Sequence, residues 1–125
     1  MISTIAQTPR FAEALKAAVE LHKAGRLAEA LVQYETLARQ QPQEPQLLYL
    51  LGTAYVQLGR GGEAVVPLQR SLQLRPDFGP AIEALASALT QAGKPAEALP
   101  YFRRAAAAAP HSPDAADARR SAASG

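Results

Sequence analysis

The hydrophobic residues that follow Pro45 are spaced as in an amphipathic helix. Leu48, Leu51 and Tyr55 fall at positions i, i+3 and i+7, which places their side chains on one face of a helix with 3.6 residues per turn. Gly52 lies on the same face and predicts a close approach by a neighbouring helix, since glycine otherwise costs about 1 kcal/mol relative to alanine in mid-helix. The pattern therefore predicts a helix whose buried face packs tightly against another helix.

A second amphipathic pattern follows after a turn at Gly59. Ala64 and Leu68 are four residues apart and share one helical face, and Pro76 marks the end of this second helix. Glycine suits the end of the first helix, because it adopts without strain the left-handed conformation that closes a helix. The chain from residue 45 to residue 78 is therefore predicted to form an antiparallel pair of helices.

The signals of this helix pair recur along the chain at a spacing of 34 residues. The recurring positions are Gly25, Gly59 and Gly93; Glu29, Glu63 and Glu97; Ala30, Ala64 and Ala98; and Pro42, Pro76 and Pro110. In an irregular globular domain, several residue types would not be expected to recur at the same spacing. The spacing therefore predicts a repeat protein. Each glutamate is expected in the first turn of a second helix, where a carboxylate interacts favourably with the helix dipole.

The repeat resembles the tetratricopeptide repeat (TPR) family, whose units are 34 residues long. In the second unit the resemblance is carried by Leu48, Leu51, Gly52, Tyr55, Ala64, Leu68 and Pro76. The matching residues are Leu21, Gly25, Ala30, Tyr34, Ala38 and Pro42 in the first unit and Ile82, Leu85, Ala86, Leu89, Gly93, Ala98, Phe102, Ala105 and Pro110 in the third. The resemblance implies an all-α fold, a right-handed superhelical stack of antiparallel helix pairs known as a TPR-like α-solenoid.

The register of the repeat divides the chain into five parts. We expect an N-terminal lead at residues 1–10, three TPR units at residues 11–44, 45–78 and 79–112, and a C-terminal segment at residues 113–125. The C-terminal segment begins like a fourth unit and then becomes rich in serine and alanine. It is interpreted either as a capping helix, which would cover the last apolar face of the stack, or as a flexible tail.

Composition and charge argue against several other classes of protein. The chain has 125 residues, of which 48% are hydrophobic, but it lacks the run of at least 18 apolar residues that a membrane-spanning helix needs. Its 13 basic and 11 acidic residues give a formal net charge of +2, and no aromatic residues are interleaved with a basic stripe, so no nucleic-acid partner is expected. The first ten residues do not resemble a secretory signal, and we expect a cytoplasmic location.

No constellation of residues in the sequence suggests catalysis. The chain has no cysteine, and its two histidines, His22 and His111, are far apart in the sequence. We therefore predict no catalytic nucleophile, no metal site and no cofactor, and we interpret both histidines as surface residues. On these grounds the protein is not expected to be an enzyme.

A stack of helix pairs offers a concave groove lined by the first helices of successive units. The residues beside the buried stripe of each first helix form the predicted peptide-binding groove: Leu15, Lys16, Val19, His22, Lys23, Gln46, Tyr49, Leu50, Thr53, Gln57, Glu83, Ser87, Thr90 and Gln91. Tyr49 and Leu50 are the predicted anchors, because a tyrosine combines a large apolar body with a polar tip, as is typical of interface hot spots. The alternative for any one of these residues is that it only solvates the face.

The sequence therefore predicts a protein–protein interaction module, a scaffold or adaptor that binds a peptide segment of a partner. TPR domains that hold the C-terminal carboxylates of heat-shock chaperones use lysines and asparagines. This chain has Lys16 and Lys23 but no asparagine, so that ligand is not expected. Two alternatives stay open: an N-terminal accessory domain or fragment of a larger enzyme, such as a bacterial glycosyltransferase or sulfotransferase, and a module that associates weakly with itself through its end faces.

Overall fold

The computed structural model describes residues 9–108, and the regular structure within this range is entirely helical. The helices are α1 (Pro9–Lys23), α2 (Leu27–Gln40), α3 (Pro45–Gln57), α4 (Gly61–Leu74), α5 (Gly79–Gln91) and α6 (Pro95–Ala108). The first residues of α3 and α5 are also the first residues of the predicted second and third units, whereas α1 begins two residues before its predicted unit. The predicted capping helix or tail at residues 113–125 lies outside the described residues, as does His111.

The first helix of each pair is followed by a glycine in the left-handed region of backbone conformation. Gly25, Gly59 and Gly93 have φ values of 82°, 77° and 79°. After each of these glycines, the next amide donates a hydrogen bond of 2.7–2.9 Å to the carbonyl five residues earlier. This bond satisfies a carbonyl at the helix end that would otherwise lack a partner. The predicted glycine stops are therefore confirmed.

Each second helix has a glutamate in its first turn, as the sequence predicts. In the first two units an arginine three residues earlier contacts this glutamate: Arg26 Nε donates to Glu29 Oε2 at 2.5 Å, and Arg60 Nε donates to Glu63 Oε1 at 2.7 Å. The hydrogen bond from Arg60 lowers the pKa of the Glu63 carboxyl. Both pairs are exposed to solvent, so they help to fix the turn and contribute little to stability.

The helices pack so that each second helix contacts the first helix of its own unit and that of the next unit. Thus α2 contacts α1 and α3, and α4 contacts α3 and α5. The first core cluster consists of Phe11, Ala18, Ala30, Leu31, Tyr34, Leu37, Leu47, Leu51 and Ala54. The second core cluster consists of Ala64, Leu68, Leu72, Phe78, Ala81, Ile82, Leu85, Ala88, Leu89 and Ala98. Because each cluster draws on two units, the hydrophobic core runs along the stack.

The close approach predicted at Gly52 is confirmed. A Cβ atom placed on Gly52 would lie 2.4 Å from Cγ of Leu68 and within 3 Å of both its δ carbons. Leu68 belongs to α4 and is fully buried, so it has little freedom to move away. Glycine at position 52 therefore allows α3 and α4 to pack as a tight pair.

A tyrosine connects the first unit to the second. The Tyr55 hydroxyl of α3 donates a hydrogen bond of 2.5 Å to Glu35 Oε2 of α2. Burial, together with this hydrogen bond, raises the pKa of Tyr55 to about 12, so the hydroxyl keeps the proton that it donates. The Arg60 guanidinium lies 5.1 Å from the centre of the same ring, within the range of a cation–π interaction.

Candidate peptide-binding groove

Five of the predicted groove residues line one pocket between α3 and α5. The pocket has a volume of about 200 Å³. It is lined by Tyr49, Thr53, Val56 and Gln57 from α3 and by Pro80, Glu83, Ala84 and Ser87 from α5. We call it the α3–α5 pocket, and we call the surface formed by α1, α3 and α5 the groove face.

The repeat explains why these side chains meet. Tyr49 and Thr53 lie one helical turn apart on α3, and Glu83 and Ser87 lie one turn apart on α5. Each residue of the second pair is 34 positions after a residue of the first pair, so the two pairs occupy equivalent places in successive units. The pocket is thus formed where the same face of two neighbouring first helices comes together.

Tyr49 is half-buried and packs against the entry to the third unit. Its ring centroid lies 5.2 Å from that of Phe78, at an interplanar angle of 59°. Phe78 is buried and immediately precedes α5, and the Arg75 guanidinium lies 4.6 Å from its ring centre. Aromatic pairs in such a tilted arrangement contribute about 0.5–1.5 kcal/mol beyond the area they bury. Tyr49 therefore has a structural role in addition to lining the pocket.

Thr53 brings a polar atom without a partner to the pocket. Its hydroxyl oxygen is buried and makes no hydrogen bond with any residue between 9 and 108. A buried polar group in this state costs about 1–3 kcal/mol. By contrast, the Thr90 hydroxyl, which was also predicted to face the groove, donates to the Ala86 carbonyl of its own helix at 2.9 Å.

His22 is half-buried, and its ring joins three helices in addition to lying on the groove face. Its Nε2 contacts Gln57 Oε1 of α3, and its Nδ1 lies 3.0 Å from the Tyr34 hydroxyl of α2. In the tautomer protonated at Nε2, both contacts are satisfied, because Nε2 donates to the amide oxygen and Nδ1 accepts from the Tyr34 hydroxyl. Burial raises the pKa of Tyr34 to about 12, which keeps this hydroxyl protonated.

Two of the three glutamines predicted to face the groove contact the preceding unit at equivalent positions. Gln91 Nε2 donates a hydrogen bond of 2.8 Å to the Val56 carbonyl, 35 residues earlier. Gln57 occupies the equivalent position one unit earlier and contacts His22, which is again 35 residues earlier. We call these contacts the back-reaching glutamine bonds. Each of them holds the end of a first helix against the first helix of the preceding unit.

Comparison with known proteins decides the family. A tetratricopeptide repeat model matches residues 21–89, which are 69 of the 125 residues. The chain belongs to the tetratricopeptide repeat family. A second tetratricopeptide repeat model matches residues 80–122. No curated protein sequence matches the chain.

Several solved structures resemble this TPR protein. A mutant of MamA has a TM-score of 0.73 and 27% identity, with 81% of this chain and 74% of that chain covered. The globular C-terminal domain of P. aeruginosa LpoP has a TM-score of 0.66 and 26% identity, covering 74% of this chain and 92% of that chain. The first TPR of Spaghetti (RPAP3), bound to an HSP90 peptide, has a TM-score of 0.75 and 20% identity and covers 86% of both chains. The likeness to RPAP3 shows the shared fold.

The chain spans only part of several of these relatives. It covers 50% to 60% of the length of four further MamA chains, to which it is 26% to 29% identical with TM-scores of 0.69 to 0.71. These similarities, together with the family match, identify a TPR protein of the interaction-module type. TPR domains are typically interaction modules without enzyme activity.

The other predicted groove residues of this TPR domain are divided between its core and its surface. Leu15, Val19 and Leu50 are half-buried and pack against the first core cluster. The side chains of Lys16, Lys23 and Gln46 are exposed, and Lys23 Nζ lies 3.9 Å from Glu20 Oε2. Leu50 therefore supports the fold, and its role as an anchor stays a prediction.

Three residues of the α3–α5 pocket were missed in the sequence. They are Val56, Pro80 and Ala84. Each is 34 positions from a residue that was predicted to face the groove in another unit, namely His22, Gln46 and Leu50 respectively. Applying the TPR register to every unit would have included all three.

Residues 9–108 lack the features of a metal site and of a membrane-spanning helix. This part of the chain contains no group of three histidine, cysteine, aspartate or glutamate side chains that could hold a metal ion. None of the helices described for this range has the length and apolar character needed to cross a membrane.

Proposed function

We propose that this TPR protein binds a peptide segment of a partner protein on its groove face. The α3–α5 pocket is the observation that carries the proposal. Its walls combine aliphatic side chains, a tyrosine ring, the hydroxyls of a threonine and a serine, an amide and a carboxylate. Such a mixture can recognise a side chain by both shape and hydrogen bonding. The related fold of RPAP3, solved with an HSP90 peptide, supports a peptide ligand for this fold.

The chemistry of the pocket also restricts the ligand. The chain contains no asparagine, and the residues at the pocket are neutral or acidic, so we do not propose a chaperone carboxylate as the ligand. A pocket of about 200 Å³ suits one side chain of a partner segment and not a whole cofactor. The partner segment is therefore expected to place one side chain between α3 and α5 while the rest of it lies along the groove face.

Filling the pocket is expected to abolish peptide binding. In the variant Ser87→Trp, an indole would occupy the space between α3 and α5, whereas Val66→Trp would add the same side chain to α4 at a residue that is 70% exposed. We would select displayed random 12-residue peptides on the parent chain and measure their affinity for both variants by fluorescence anisotropy. We expect Ser87→Trp to weaken binding at least tenfold, about 1.4 kcal/mol, and Val66→Trp to leave it unchanged.

The two tryptophan variants separate the possible binding surfaces. Circular dichroism and thermal melting would first establish that both variants fold. Peptides that bind the parent and Ser87→Trp equally well, but are lost with Val66→Trp, would place the binding surface on the second helices and contradict the proposal.

A second candidate function is weak self-association through the last helix. Leu99 and Phe102 on α6 are 47% and 42% exposed. The residues equivalent to Phe102 in the earlier units, Tyr34 and Leu68, are fully buried, and they belong to clusters that include the following first helix. Among the described residues, the third unit thus exposes a position that an adjacent helix covers in the earlier units, and a second copy could cover it.

Replacing Phe102 by glutamate is expected to abolish this self-association. We expect the parent chain to show a weight-average mass above that of the monomer at high micromolar concentration, and Phe102→Glu to remain monomeric. Sedimentation equilibrium measures both masses. Val66→Glu, at an exposed valine of α4, is the matched control and should behave as the parent. A monomeric parent at every concentration would rule this candidate out.

A further inference from the structure

We propose that the α3–α5 pocket binds a lysine or arginine side chain of the partner segment, with the cationic group at Glu83. This inference rests on the proposed function, since it names the side chain that the groove face recognises. Four observations support it: the carboxylate of Glu83 without an internal partner, the walls of the pocket, its hydroxyls, and the distribution of charge along the groove face.

Glu83 offers a carboxylate that the rest of the described chain does not use. It is exposed on α5, and it forms neither an ion pair nor a hydrogen bond with any residue of the range 9–108. Several other glutamates are engaged: Glu29 and Glu63 bind arginines, and Glu35 accepts a hydrogen bond from Tyr55. A carboxylate that lines a pocket without an internal partner is available to a cation from outside.

The walls of the pocket suit the rest of a long basic side chain. Val56, Pro80 and Ala84 provide aliphatic surface, and Tyr49 provides an aromatic ring. Lysine and arginine bury an apolar stem of three or four methylene groups and keep their charge near water, which matches a pocket with apolar walls and an exposed acid at its side. An aromatic ring adds a surface that cations contact favourably.

The hydroxyl oxygens of Thr53 and Ser87 can accept hydrogen bonds from the donors that a basic side chain carries. Ser87 lines the pocket on α5, and the buried Thr53 oxygen on α3 lacks a hydrogen bond within the described range. A threonine in a helix populates two χ1 rotamers, so rotation can turn this hydroxyl toward an occupant of the pocket. Lysine supplies three N–H donors and arginine five, and neither supplies an acceptor that would compete for them.

The charges along the groove face favour this end of the stack for a basic residue. Lys16 and Lys23 are exposed on α1, and Glu83 is on α5, at the opposite side of the groove face. At the α1 positions equivalent to Tyr49 and Thr53 stand Leu15 and Val19, so the groove face changes from apolar with basic neighbours to polar with an acid. Since Lys23 is paired with Glu20, Lys16 is the lysine that disfavours a basic residue at α1, whereas Glu83 attracts one at α5.

The test is a selection of displayed random 12-residue peptides on the parent chain and on the variant Glu83→Lys. We expect lysine or arginine to be enriched at one peptide position on the parent, and aspartate or glutamate at the same position on the variant. The best basic peptide should bind Glu83→Lys about tenfold more weakly than the parent. That loss should shrink in about 1 M salt, where the Debye length is about 3 Å.

Glu97→Lys is the matched control, because Glu97 is also exposed but lies in the first turn of α6, which is not part of the groove face. It should change the affinity of the basic peptide less than twofold. Peptides that lack a basic preference but lose binding in Ser87→Trp would overturn this inference and leave the proposed function standing. Peptides that are insensitive to both Ser87→Trp and Glu83→Lys, or a selection that enriches no peptide, would overturn both.

Discussion

Replacing Tyr34 by alanine is expected to lower the free energy of unfolding by about 3–5 kcal/mol. Tyr34 is fully buried in the first core cluster, so the truncation removes a ring from the contact region of the first two units. It also removes the hydroxyl that donates to His22. Because small domains are stable by only about 5–15 kcal/mol, this variant is expected to be close to unfolding at ambient temperature.

Urea denaturation followed by circular dichroism at 222 nm, a wavelength chosen for helix content, measures this loss. Tyr34→Phe is the matched control, since it keeps the ring and removes the hydroxyl, and it should cost about 0.5–1.5 kcal/mol. If the two variants lost the same free energy, the ring would contribute nothing to packing between the units, and the expected role of Tyr34 would be wrong.

Replacing Gly52 by alanine is expected to lower the free energy of unfolding by about 1–3 kcal/mol. The change gains about 1 kcal/mol of helix propensity, but the new Cβ would lie 2.4 Å from Cγ of the buried Leu68. Helix α3 and helix α4 must then separate or Leu68 must leave its preferred rotamer. Gly62→Ala is the control, because a Cβ at Gly62 meets no atom within 4 Å, and this variant should be more stable than the parent.

A double variant isolates the contact that causes this cost. Leu68→Ala alone is expected to lower the free energy of unfolding by about 2–5 kcal/mol through the cavity it leaves. It also removes the three carbon atoms that would crowd a Cβ at position 52. The loss in the combined variant Gly52→Ala, Leu68→Ala should therefore be smaller than the sum of the two single losses. Additive losses, or a stabilising Gly52→Ala, would show that the close approach does not constrain position 52.

The backbone of this protein could be predicted from its sequence because the same helix and turn signals occur in three successive units. The turns could be located because each needs one residue in the left-handed conformation, which favours glycine. This conformation is confirmed at Gly25, Gly59 and Gly93. Gly52 could be interpreted in the same way, since a glycine in mid-helix is costly unless another helix approaches it. Such local requirements can be read without knowing where the other side chains lie.

The contacts between units could not be predicted in this way. His22 looked like a surface residue because its partners, Tyr34 and Gln57, come from two other helices and depend on how far each side chain reaches. Gln91 looked like a groove residue although its amide reaches the Val56 carbonyl. The register of the repeat restricts which positions meet, but whether a side chain binds its neighbour or faces solvent is decided by length and rotamer, which the period does not encode.

The back-reaching glutamine bonds have a consequence for how the stack comes apart. Each of them connects a unit to its immediate predecessor, and the hydrophobic clusters likewise join adjacent units. A helix stack of this kind behaves as a linear chain of neighbours. Among the three described units, the middle one contacts two others, whereas each outer unit, the first or the third, contacts one. Loosening is therefore expected to begin at the outer units and to spread inward unit by unit, so that α3 and α4 are the last helices to exchange their amide protons with solvent.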